Sequence, residues 1–243
     1  MNINFVNLFI VGSGKAGSTS LFDALNKHCD INGSIPKEPM FFASNFKKGV
    51  NWYHGLFNDS TFKYNFEASP QYTFLDEFPE ASSRIYQYNK NAKILYIVRS
   101  PKDRIISHYV HWSRTKPLYY NNINNVLRDD KLSFPLISRT RYLYQIEPYV
   151  RLFGSHNVKI IFLEDFSSNY KKQMLEIFDF LELDHSGFSF DKIKSNTSDN
   201  VFKEKAMLEL DYDLLNNALK KIEVESEEFL NKYNKPEDFW VWR

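Results

Sequence analysis

Short apolar runs alternate with amphipathic segments along the chain, and this alternation predicts its elements. The run Phe5–Val11 is rich in β-branched and aromatic residues and is followed by Gly12, which indicates a buried strand. Lys93–Val98 is the clearest internal strand, and Val158–Leu163 has the same character. A shorter strand is predicted over Tyr64–Ala68.

The segments between these strands carry apolar residues every three or four positions, which predicts helices. The clearest example is Asn169–Leu181, whose apolar side chains share one face. Pro101 suits the first turn of a helix that runs to about Arg114, because proline lacks the N–H that a first turn leaves unused. Further helices are predicted over residues 18–27, 79–89, 141–153 and, for the most part, 208–233.

Strands separated by helices indicate βαβ units, so we predict an α/β fold with a mainly parallel sheet. The chain shows no repeat and no cluster of Pro and Gly that would mark a linker, which favours a single domain over residues 1–243. Ligands of such sheets bind at the carboxyl ends of the strands. The residues that follow each strand are therefore the first place to look for chemistry.

Composition excludes several classes of protein. Hydrophobic residues make up 43% of the 243 residues and aromatic residues 17%, so the chain can build a sizeable core. The 31 Lys and Arg nearly balance the 30 Asp and Glu, which argues against binding to nucleic acid through net charge, although local basic patches stay possible. No apolar stretch reaches the roughly 18 residues of a membrane-spanning helix, and we expect none.

The single cysteine, Cys29, excludes an intrachain disulfide and a cysteine-based zinc site. We expect it to be a small buried hydrophobic residue. A chain without a second cysteine suits a reducing compartment, and its first residues lack the basic region and cleavage site of a signal peptide. We therefore expect a cytoplasmic location.

The turn after the first strand reads Gly12-Ser-Gly-Lys-Ala-Gly-Ser-Thr19. Its small residues let the backbone approach a ligand, and the helix that starts near Ser18 directs its N–H groups and positive dipole at the turn. Lys15 adds a positive charge, and Ser18, Thr19 and Ser20 add hydroxyl groups. This pattern predicts a phosphate-binding loop, with an ordinary strand-to-helix turn as the alternative.

The same loop does not fit two common nucleotide motifs. A Walker A loop requires Lys where this chain has Ser18, and Lys15 lies three positions too early, so an ATP- or GTP-dependent kinase is disfavoured but stays a competitor. The three glycines match the spacing of the dinucleotide fingerprint. However, no acidic residue ends a convincing second strand about twenty positions further on, where the ribose would be bound.

A second candidate phosphate site follows the strand Lys93–Val98. Arg99 stands at its carboxyl end, and Ser107 lies two turns into the next helix. Arginine offers a fork of donors to a phosphate and serine completes it, although an arginine here can also cap carbonyl groups. For the neighbouring Lys102 and Arg104 we expect a solvated surface. Two phosphate sites on two strand ends suit a nucleotide with phosphates on opposite sides of its ribose.

With these motifs in order, the sequence resembles the sulfotransferase family that uses 3′-phosphoadenosine 5′-phosphosulfate (PAPS). Phe9–Leu21 is similar to its 5′-phosphosulfate loop, and Ile97–Tyr109 is similar to its 3′-phosphate motif. Three segments between them resemble the heparan-sulfate-type branch: Lys37–Phe42, Trp52-Tyr53 and Glu67–Tyr72. Val158–Leu183 resembles the later strand and helix of the family, so the resemblance covers roughly residues 5–185.

The resemblance implies a P-loop-like three-layer fold with a mainly parallel central sheet flanked by helices. It also implies transfer of a sulfuryl group from PAPS to an acceptor hydroxyl or amine by in-line displacement, which leaves adenosine 3′,5′-bisphosphate (PAP). Glu38 would be the general base on the acceptor, with a structural role in capping a helix or pairing with Lys37 as the alternative. Lys15 would contact the 5′-phosphate and the bridging oxygen. The implied nucleotide contacts are Lys15, Ala16, Gly17, Ser18, Thr19 and Ser20 at the 5′ end, and Arg99 and Ser107 at the 3′-phosphate. No metal is implied.

The sequence departs from the family pattern at three places. Ala68 stands where a lysine commonly follows the glutamate of the Glu-x-Ser-Pro segment, and we predict Lys37 as a catalytic replacement. Thr19 takes the place of an arginine in the loop. The later cofactor loop has no clear counterpart, and the candidates for it are Lys203 and Lys205, with a solvated charge run as the alternative.

The acceptor side is the least specified part of the site. We expect Trp52, Tyr53, His54, Glu67 and Tyr72 to face the acceptor. The alternatives are core packing for the aromatic residues and orientation of neighbouring lysines for Glu67. His54, His108 and His111 are alternative bases. The acceptor is predicted to be a saccharide or a small-molecule metabolite, with no nucleic-acid partner and no prediction of oligomeric state. A nucleotide or small-molecule kinase and a non-catalytic nucleotide-binding protein of the same fold remain alternative functions.

Overall fold

A computed structural model describes residues 5–57, 62–191 and 200–240 of the chain. The described residues form two compact units. The first lies within Met1–Val98 and Gln145–Ser195, and the second lies within Arg99–Tyr144 and Asn196–Arg243. The single domain predicted over 1–243 stays a prediction. No helix in the described ranges is both long enough and apolar enough to cross a membrane.

The first unit is built on one sheet of five strands. In chain order these are β1 (Leu8–Gly12), β2 (Ile31–Gly33), β3 (Tyr64–Ala68), β4 (Lys93–Val98) and β5 (Val158–Phe162). All neighbours pair in parallel, in the spatial order β2-β3-β1-β4-β5. Because parallel strands end at one edge, Gly12 and Ala68 bring the residues that follow them to the same edge of the sheet.

Helices account for most of the remaining described residues. In chain order they are α1 (Ser18–Leu25), α2 (Val50–His54), α3 (Ala81–Tyr88), α4 (Pro101–Thr115), α5 (Ile123–Arg128), α6 (Asp130–Ser138), α7 (Tyr142–Phe153), α8 (Leu163–Ser168), α9 (Tyr170–Phe180), α10 (Asn200–Glu209), α11 (Tyr212–Lys220) and α12 (Glu223–Lys232).

Both faces of the sheet are covered, which explains why its strands are continuously apolar. On one face Leu8 and Ile10 belong to a buried cluster with side chains of α1 and α9. On the other face Phe9 packs against Phe42 with ring centroids 5.8 Å apart, and Phe42 contacts Tyr72 at 5.9 Å. These layers confirm the predicted three-layer α/β fold with a parallel central sheet.

The second unit is helical in the described residues. Its core joins apolar side chains of α4, α5, α6, α10 and α11, all of them buried. Three of these helices begin at an acidic or amide side chain that accepts N–H groups of the first turn: Asn122 for α5, Asp129 for α6 and Asp211 for α11. Such caps define helix starts that apolar spacing alone does not reveal.

The structure corrects the predicted elements at several points. β2 was not predicted, because Ile31-Asn-Gly33 has too few apolar residues to form a pattern. The helices α2, α5, α6 and α8 are also absent from the prediction, as is α10 except for its last two residues. The mostly helical stretch predicted over 208–233 is confirmed as the end of α10 with α11 and α12. Asp211 accepts hydrogen bonds from two N–H groups of the next turn and starts α11 there.

Candidate functional site

The loop between β1 and α1 presents an open helix N-terminus. The Ser13 N–H donates to the carbonyl of Ile97 over 2.6 Å and the Ala16 N–H donates to the carbonyl of Ser13 over 3.2 Å, so the loop is fixed against β4. Gly17 then turns the chain at φ +96° into α1. No side chain caps this helix, and its first turn has no acidic residue. Its N–H groups and positive dipole end therefore suit an anion.

The predicted phosphate-binding residues of this loop differ in exposure. Thr19 is exposed, and Lys15 and Ser20 are half-buried, so their side chains can reach a ligand. Ala16 and Ser18 are buried, which leaves them mainly their backbone N–H groups to offer. Lys15 has φ +69°, a left-handed conformation that is uncommon outside glycine and that curls the loop around the helix end.

Gly17→Ala is expected to lower the free energy of unfolding by about 2–3 kcal/mol, because it combines two costs. The backbone is left-handed at this position, and an added Cβ would lie 2.6 Å from Leu163 Cδ1. Gly55→Ala is the control, since Gly55 has helical φ of −66° and a Cβ there meets only ordinary contacts at 3.5 Å. Urea unfolding of both variants checks the prediction, and equal midpoints would contradict it.

Lys37 connects the loop to the predicted base. Its Nζ donates to Thr19 Oγ1 over 3.0 Å and pairs with Glu38 Oε1 at 2.6 Å. The side chains of Lys37 and Glu38 are 20% and 34% exposed, so both remain accessible to a ligand. Three residues that the sequence assigned to one site are thus in contact, although Thr19 lies 18 positions before Lys37.

Glu67 is a fully buried carboxyl group on β3, with 0% of its surface exposed. Its Oε1 accepts hydrogen bonds from Tyr53 Oη at 2.8 Å and from Tyr72 Oη at 2.5 Å. Its Oε2 accepts a hydrogen bond from Ser69 Oγ. Three hydroxyl groups therefore satisfy one buried carboxyl group, which makes burial of an acidic side chain tolerable.

Burial raises the pKa of Glu67 from 4.5 to about 7, and the nearby charge of Glu38 adds to the rise, while the three hydroxyl donors oppose it. The folded chain therefore keeps this proton in a pH range where the unfolded chain has lost it. The contribution of Glu67 to the free energy of unfolding is complete below pH 4.5 and is lost as the pH rises to about 7.

We expect the free energy of unfolding of the wild type, relative to that of Glu67→Gln, to fall by about 2–3 kcal/mol between pH 5 and pH 8. Glutamine does not titrate, so subtracting the variant cancels the other ionisable groups. Urea unfolding at the two pH values gives the difference directly. A difference that does not change with pH would show that the pKa of Glu67 stays near its ordinary value.

The structure does not support direct acceptor contact for three of the five residues predicted to face the acceptor. Tyr53, Glu67 and Tyr72 have no exposed surface, and both tyrosine hydroxyl groups donate to Glu67 in the core. Trp52 and His54 on α2 are half-buried and remain candidates. Lys48 Nζ lies 4.3 Å from the centroid of the Trp52 ring.

His54 is held by the aromatic core beside it. Its Nε2 is 2.7 Å from Tyr88 Oη, and its ring centroid is 5.1 Å from that of Phe5. Burial lowers the pKa of His54 below its usual 6.5, which favours the neutral imidazole near pH 7. A neutral imidazole can accept a proton, so His54 stays an alternative to Glu38 as a base.

The residues predicted for the 3′-phosphate lie in the second unit. Arg99 follows β4 directly, its Nη2 is 3.9 Å from Asp103 Oδ2, and its carbonyl accepts a hydrogen bond from Tyr142 Oη at 2.7 Å. Ser107 is half-buried on α4. The expectation of a solvated Arg104 is wrong: this side chain is fully buried and donates to the carbonyl of Leu136 over 3.0 Å.

Lys203 and Lys205 lie on the helix α10 and not in a loop, and their assignment to the nucleotide stays a prediction. Lys205 Nζ is 3.9 Å from Glu209 Oε1, an exposed ion pair one turn apart. Residues 192–199, which precede α10, lie outside the described ranges. Cys29 is also exposed, contrary to the expected burial.

Comparison with known proteins settles the family. The profile of the sulfotransferase domain matches residues 6–235 of the chain. The chain belongs to the sulfotransferase domain family. This sulfotransferase domain is similar to heparan sulfate glucosamine 3-O-sulfotransferase 3B1 of Mus musculus, with 29% identity over 183 residues. That match covers 72% of the chain but 45% of the mouse protein, so the chain spans less than half the length of this relative.

Two further comparisons agree. The bifunctional heparan sulfate N-deacetylase/N-sulfotransferase 1 of Mus musculus is 33% identical over 116 residues, which are 44% of the chain and 13% of that protein. The crystal structure of a sulfotransferase from Alicyclobacillus acidocaldarius superimposes with a TM-score of 0.72 and 24% identity, over 93% of the chain and 96% of the other. The predicted family resemblance, its heparan-sulfate type and its P-loop-like fold are confirmed, and the kinase alternative is not favoured.

Sequence reasoning missed the two hydrogen bonds of Ser69. Its hydroxyl group donates to Glu67 and accepts the N–H of Met40 over 2.9 Å. The Glu-x-Ser-Pro segment was recognised as a motif, but the sequence contains no sign that its serine contacts a residue 29 positions earlier. Only the parallel packing of the segment around residue 40 against the end of β3 brings the two together.

Proposed function

We propose that this sulfotransferase domain transfers the sulfuryl group of PAPS to an acceptor hydroxyl or amine, with Glu38 as general base and Lys15 at the leaving phosphate. The observation that carries the proposal is the position of Lys37, whose ammonium group contacts both Thr19 of the phosphate loop and Glu38. A base and a phosphate loop held this close can act on one reacting group. The proposal concerns this chain, which is shorter than its heparan-type relatives.

The loop before α1 has the chemistry that a 5′-phosphosulfate needs. Its helix start is uncapped and carries no acidic residue, and Lys15 adds a cation. We assign binding of the 5′-phosphosulfate to the residues from Lys15 to Ser20. Lys15 contributes its ammonium group, Ala16 and Gly17 their backbone, and Ser18, Thr19 and Ser20 their N–H and hydroxyl groups. When bound, PAPS supplies the activated sulfuryl group.

The 3′-phosphate is assigned to Arg99 and Ser107 on the strength of the sequence motif. Arginine binds phosphate through two parallel N–H bonds, and Asp103 keeps the Arg99 side chain near the start of α4. Lys203 and Lys205 stay predictions of a further nucleotide contact, from α10.

The chemistry explains why these residue types are required. Sulfuryl transfer resembles phosphoryl transfer in that negative charge grows on the leaving phosphate, so the ammonium group of Lys15 lowers the barrier. An acceptor hydroxyl is a weak nucleophile until a base removes its proton. Lys37 holds Glu38 Oε1, and among the described residues Oε2 has no hydrogen-bond partner, which makes Oε2 the oxygen that takes the proton.

Lys37 is the proposed replacement for the lysine that is absent at position 68, where this chain has alanine. The Lys37 carbonyl oxygen accepts a hydrogen bond from the Ala68 N–H over 3.1 Å. The backbone of Lys37 therefore lies beside the position at which relatives of this branch commonly have a lysine. From there its ammonium group reaches the phosphate loop through Thr19 Oγ1. A positive charge at this place stabilises the negative charge that develops between donor and acceptor in the transition state.

We propose that the acceptor is a saccharide or a small metabolite and that it meets Trp52 and His54. Trp52 presents a partly exposed ring with Lys48 over it, which suits a sugar ring that carries negative charge. The mouse relatives act on heparan sulfate by name, and a saccharide is the class we favour for this chain. A cytoplasmic location remains a prediction that depends on the lone cysteine.

The test is incubation with ³⁵S-labelled PAPS and a panel of three acceptors: a heparan sulfate hexasaccharide, p-nitrophenol and agmatine. We expect labelled product with one class of acceptor, in a yield that is the same with and without EDTA. We expect no transfer of phosphate from ATP in the presence of Mg²⁺. Turnover with ATP that EDTA abolishes would instead indicate a kinase. Nucleotide binding without transfer to any member of a widened panel would indicate a non-catalytic binding protein.

A further inference from the structure

Residues 37–42, here called the base segment, are fastened to the end of β3 at three places. The carbonyl of Lys37 accepts the Ala68 N–H over 3.1 Å. Beyond Glu38, the Met40 N–H donates to Ser69 Oγ over 2.9 Å and the Phe42 N–H donates to Tyr72 Oη over 3.2 Å. The proposed base therefore lies between a backbone anchor on one side and two hydroxyl anchors on the other.

Both hydroxyl anchors are oriented by Glu67. Each hydroxyl group has one proton, and both Ser69 and Tyr72 donate theirs to the Glu67 carboxyl oxygens. Above about pH 7 the Glu67 carboxyl group is ionised and only accepts hydrogen bonds, so it draws both protons towards itself. The lone pairs of the two hydroxyl groups then face the base segment, where they accept the N–H groups of Met40 and Phe42.

The hydrogen bonds from the base segment through Ser69 and Tyr72 to Glu67 form a relay, and burial makes this relay rigid. Glu67, Ser69 and Tyr72 are all 0% exposed, so no water can replace a hydrogen bond that one of them loses. Breaking such a bond leaves a buried polar group unsatisfied, which is more costly than losing an exposed bond. Glu67 has no surface with which to touch an acceptor, so any effect that it has on the reaction must pass through its partners.

We propose that Glu67 is a positioning residue for Glu38, and that it acts through Ser69 and Tyr72 on the backbone of the base segment. This inference rests on the proposed function in one respect only, the assignment of Glu38 as the base. The hydrogen-bond relay itself can be tested without any acceptor. It also assigns a function to the Glu-x-Ser-Pro-x-Tyr residues of this chain: one carboxyl group orients two hydroxyl groups, and these hold the base segment.

The test compares the wild type with Ser69→Ala, Tyr72→Phe and Glu67→Gln, and uses Tyr64→Phe as the matched control. Tyr64 is also buried on β3, but its hydroxyl group donates to the carbonyl of Leu181 over 3.0 Å and not to Ser69, Tyr72 or the base segment. Two quantities are measured: amide hydrogen exchange over residues 37–43, and the kcat and KM of ³⁵S transfer from PAPS to the acceptor that the wild type uses.

We expect Ser69→Ala to speed exchange at Met40, and Tyr72→Phe to speed it at Phe42, each by tenfold or more. Both variants and Glu67→Gln should lower kcat at least tenfold with the KM for PAPS within twofold. Tyr64→Phe should change neither quantity by more than twofold. If Glu67→Gln does not fold, the two hydroxyl variants still decide the question, because each removes one anchor and keeps the carboxyl group.

Two results would overturn the inference. One is exchange at Met40 and Phe42 that stays within twofold of the Tyr64→Phe control. The other is faster exchange with an unchanged kcat, which would show that the anchors do not serve the base. If the wild type transfers no sulfate at all, the proposed function fails, and the exchange data still decide whether Glu67 orders the base segment.

Discussion

Replacing Glu38 by glutamine should lower kcat for sulfate transfer by about a thousandfold, the effect of removing a general base. Glutamine keeps the size of the side chain and can still contact Lys37, but it cannot take a proton from the acceptor. The affinity for PAP should stay within about twofold, because the glutamate is assigned to the acceptor side. Single-turnover transfer of ³⁵S and calorimetric titration with PAP measure the two quantities.

The control for this experiment is Glu227→Gln, which removes one negative charge from an exposed position on α12. It should leave kcat unchanged, so a loss specific to Glu38 cannot come from net charge. A Glu38→Gln variant with the wild-type rate would contradict the assignment. The base would then be sought among His54, His108 and His111, beginning with His54, whose pKa is lowered by burial.

Replacing Lys15 by alanine should lower kcat by at least a hundredfold and weaken PAP binding by about tenfold. The ammonium group is assigned to the phosphate on which negative charge grows, so its loss raises the barrier more than it weakens ground-state binding. Lys27→Ala is the matched control, since Lys27 is exposed just beyond α1 and donates to the carbonyl of Asp191.

The rise in melting temperature on adding PAP reports the binding part of this prediction. It should be large for the wild type and for Lys27→Ala, and smaller for Lys15→Ala. The kcat of Lys15→Ala reports the catalytic part. A variant that behaves like the Lys27 control in both measurements would show that the loop does not hold the leaving phosphate.

The sheet could be predicted because a parallel sheet covered on both faces requires continuous apolar runs. The bounds predicted for β3 and β4, Tyr64–Ala68 and Lys93–Val98, agree with the structure. β2 could not be predicted, since its three residues include Asn32 and Gly33, and its place depends on pairing with β3. Asn32 Nδ2 donates to Asn65 Oδ1 over 2.7 Å, a contact between positions 33 apart.

The candidate site was predictable where the chemistry is local. The spacing of glycines around Lys15 indicated an anion loop at a helix start, and the structure has that uncapped start. Glu38 was found only through the family resemblance, because nothing in its neighbours marks it as a base. The contact of Lys37 with Thr19 depends on tertiary packing and has no local signal.

Glu67 is the clearest case of a residue whose role sequence reasoning could not find. The sequence suggested that this glutamate faces an acceptor or orients neighbouring lysines. Its burial depends on three hydroxyl groups, from Tyr53, Ser69 and Tyr72, that converge only when α2 and the segment after β3 pack together. The Glu-x-Ser-Pro motif marked Glu67 as a residue of interest, but the role proposed for it follows from the hydroxyl groups that donate to it.

The most direct test of the account is a crystal structure of the chain with PAP. We predict that the 5′-phosphate lies against the N–H groups of the first turn of α1, within hydrogen-bonding distance of Lys15 Nζ, with the Glu38 carboxyl group facing the same phosphate. A 5′-phosphate bound away from Lys15 and the start of α1 would contradict the central claim that this loop holds the sulfate donor.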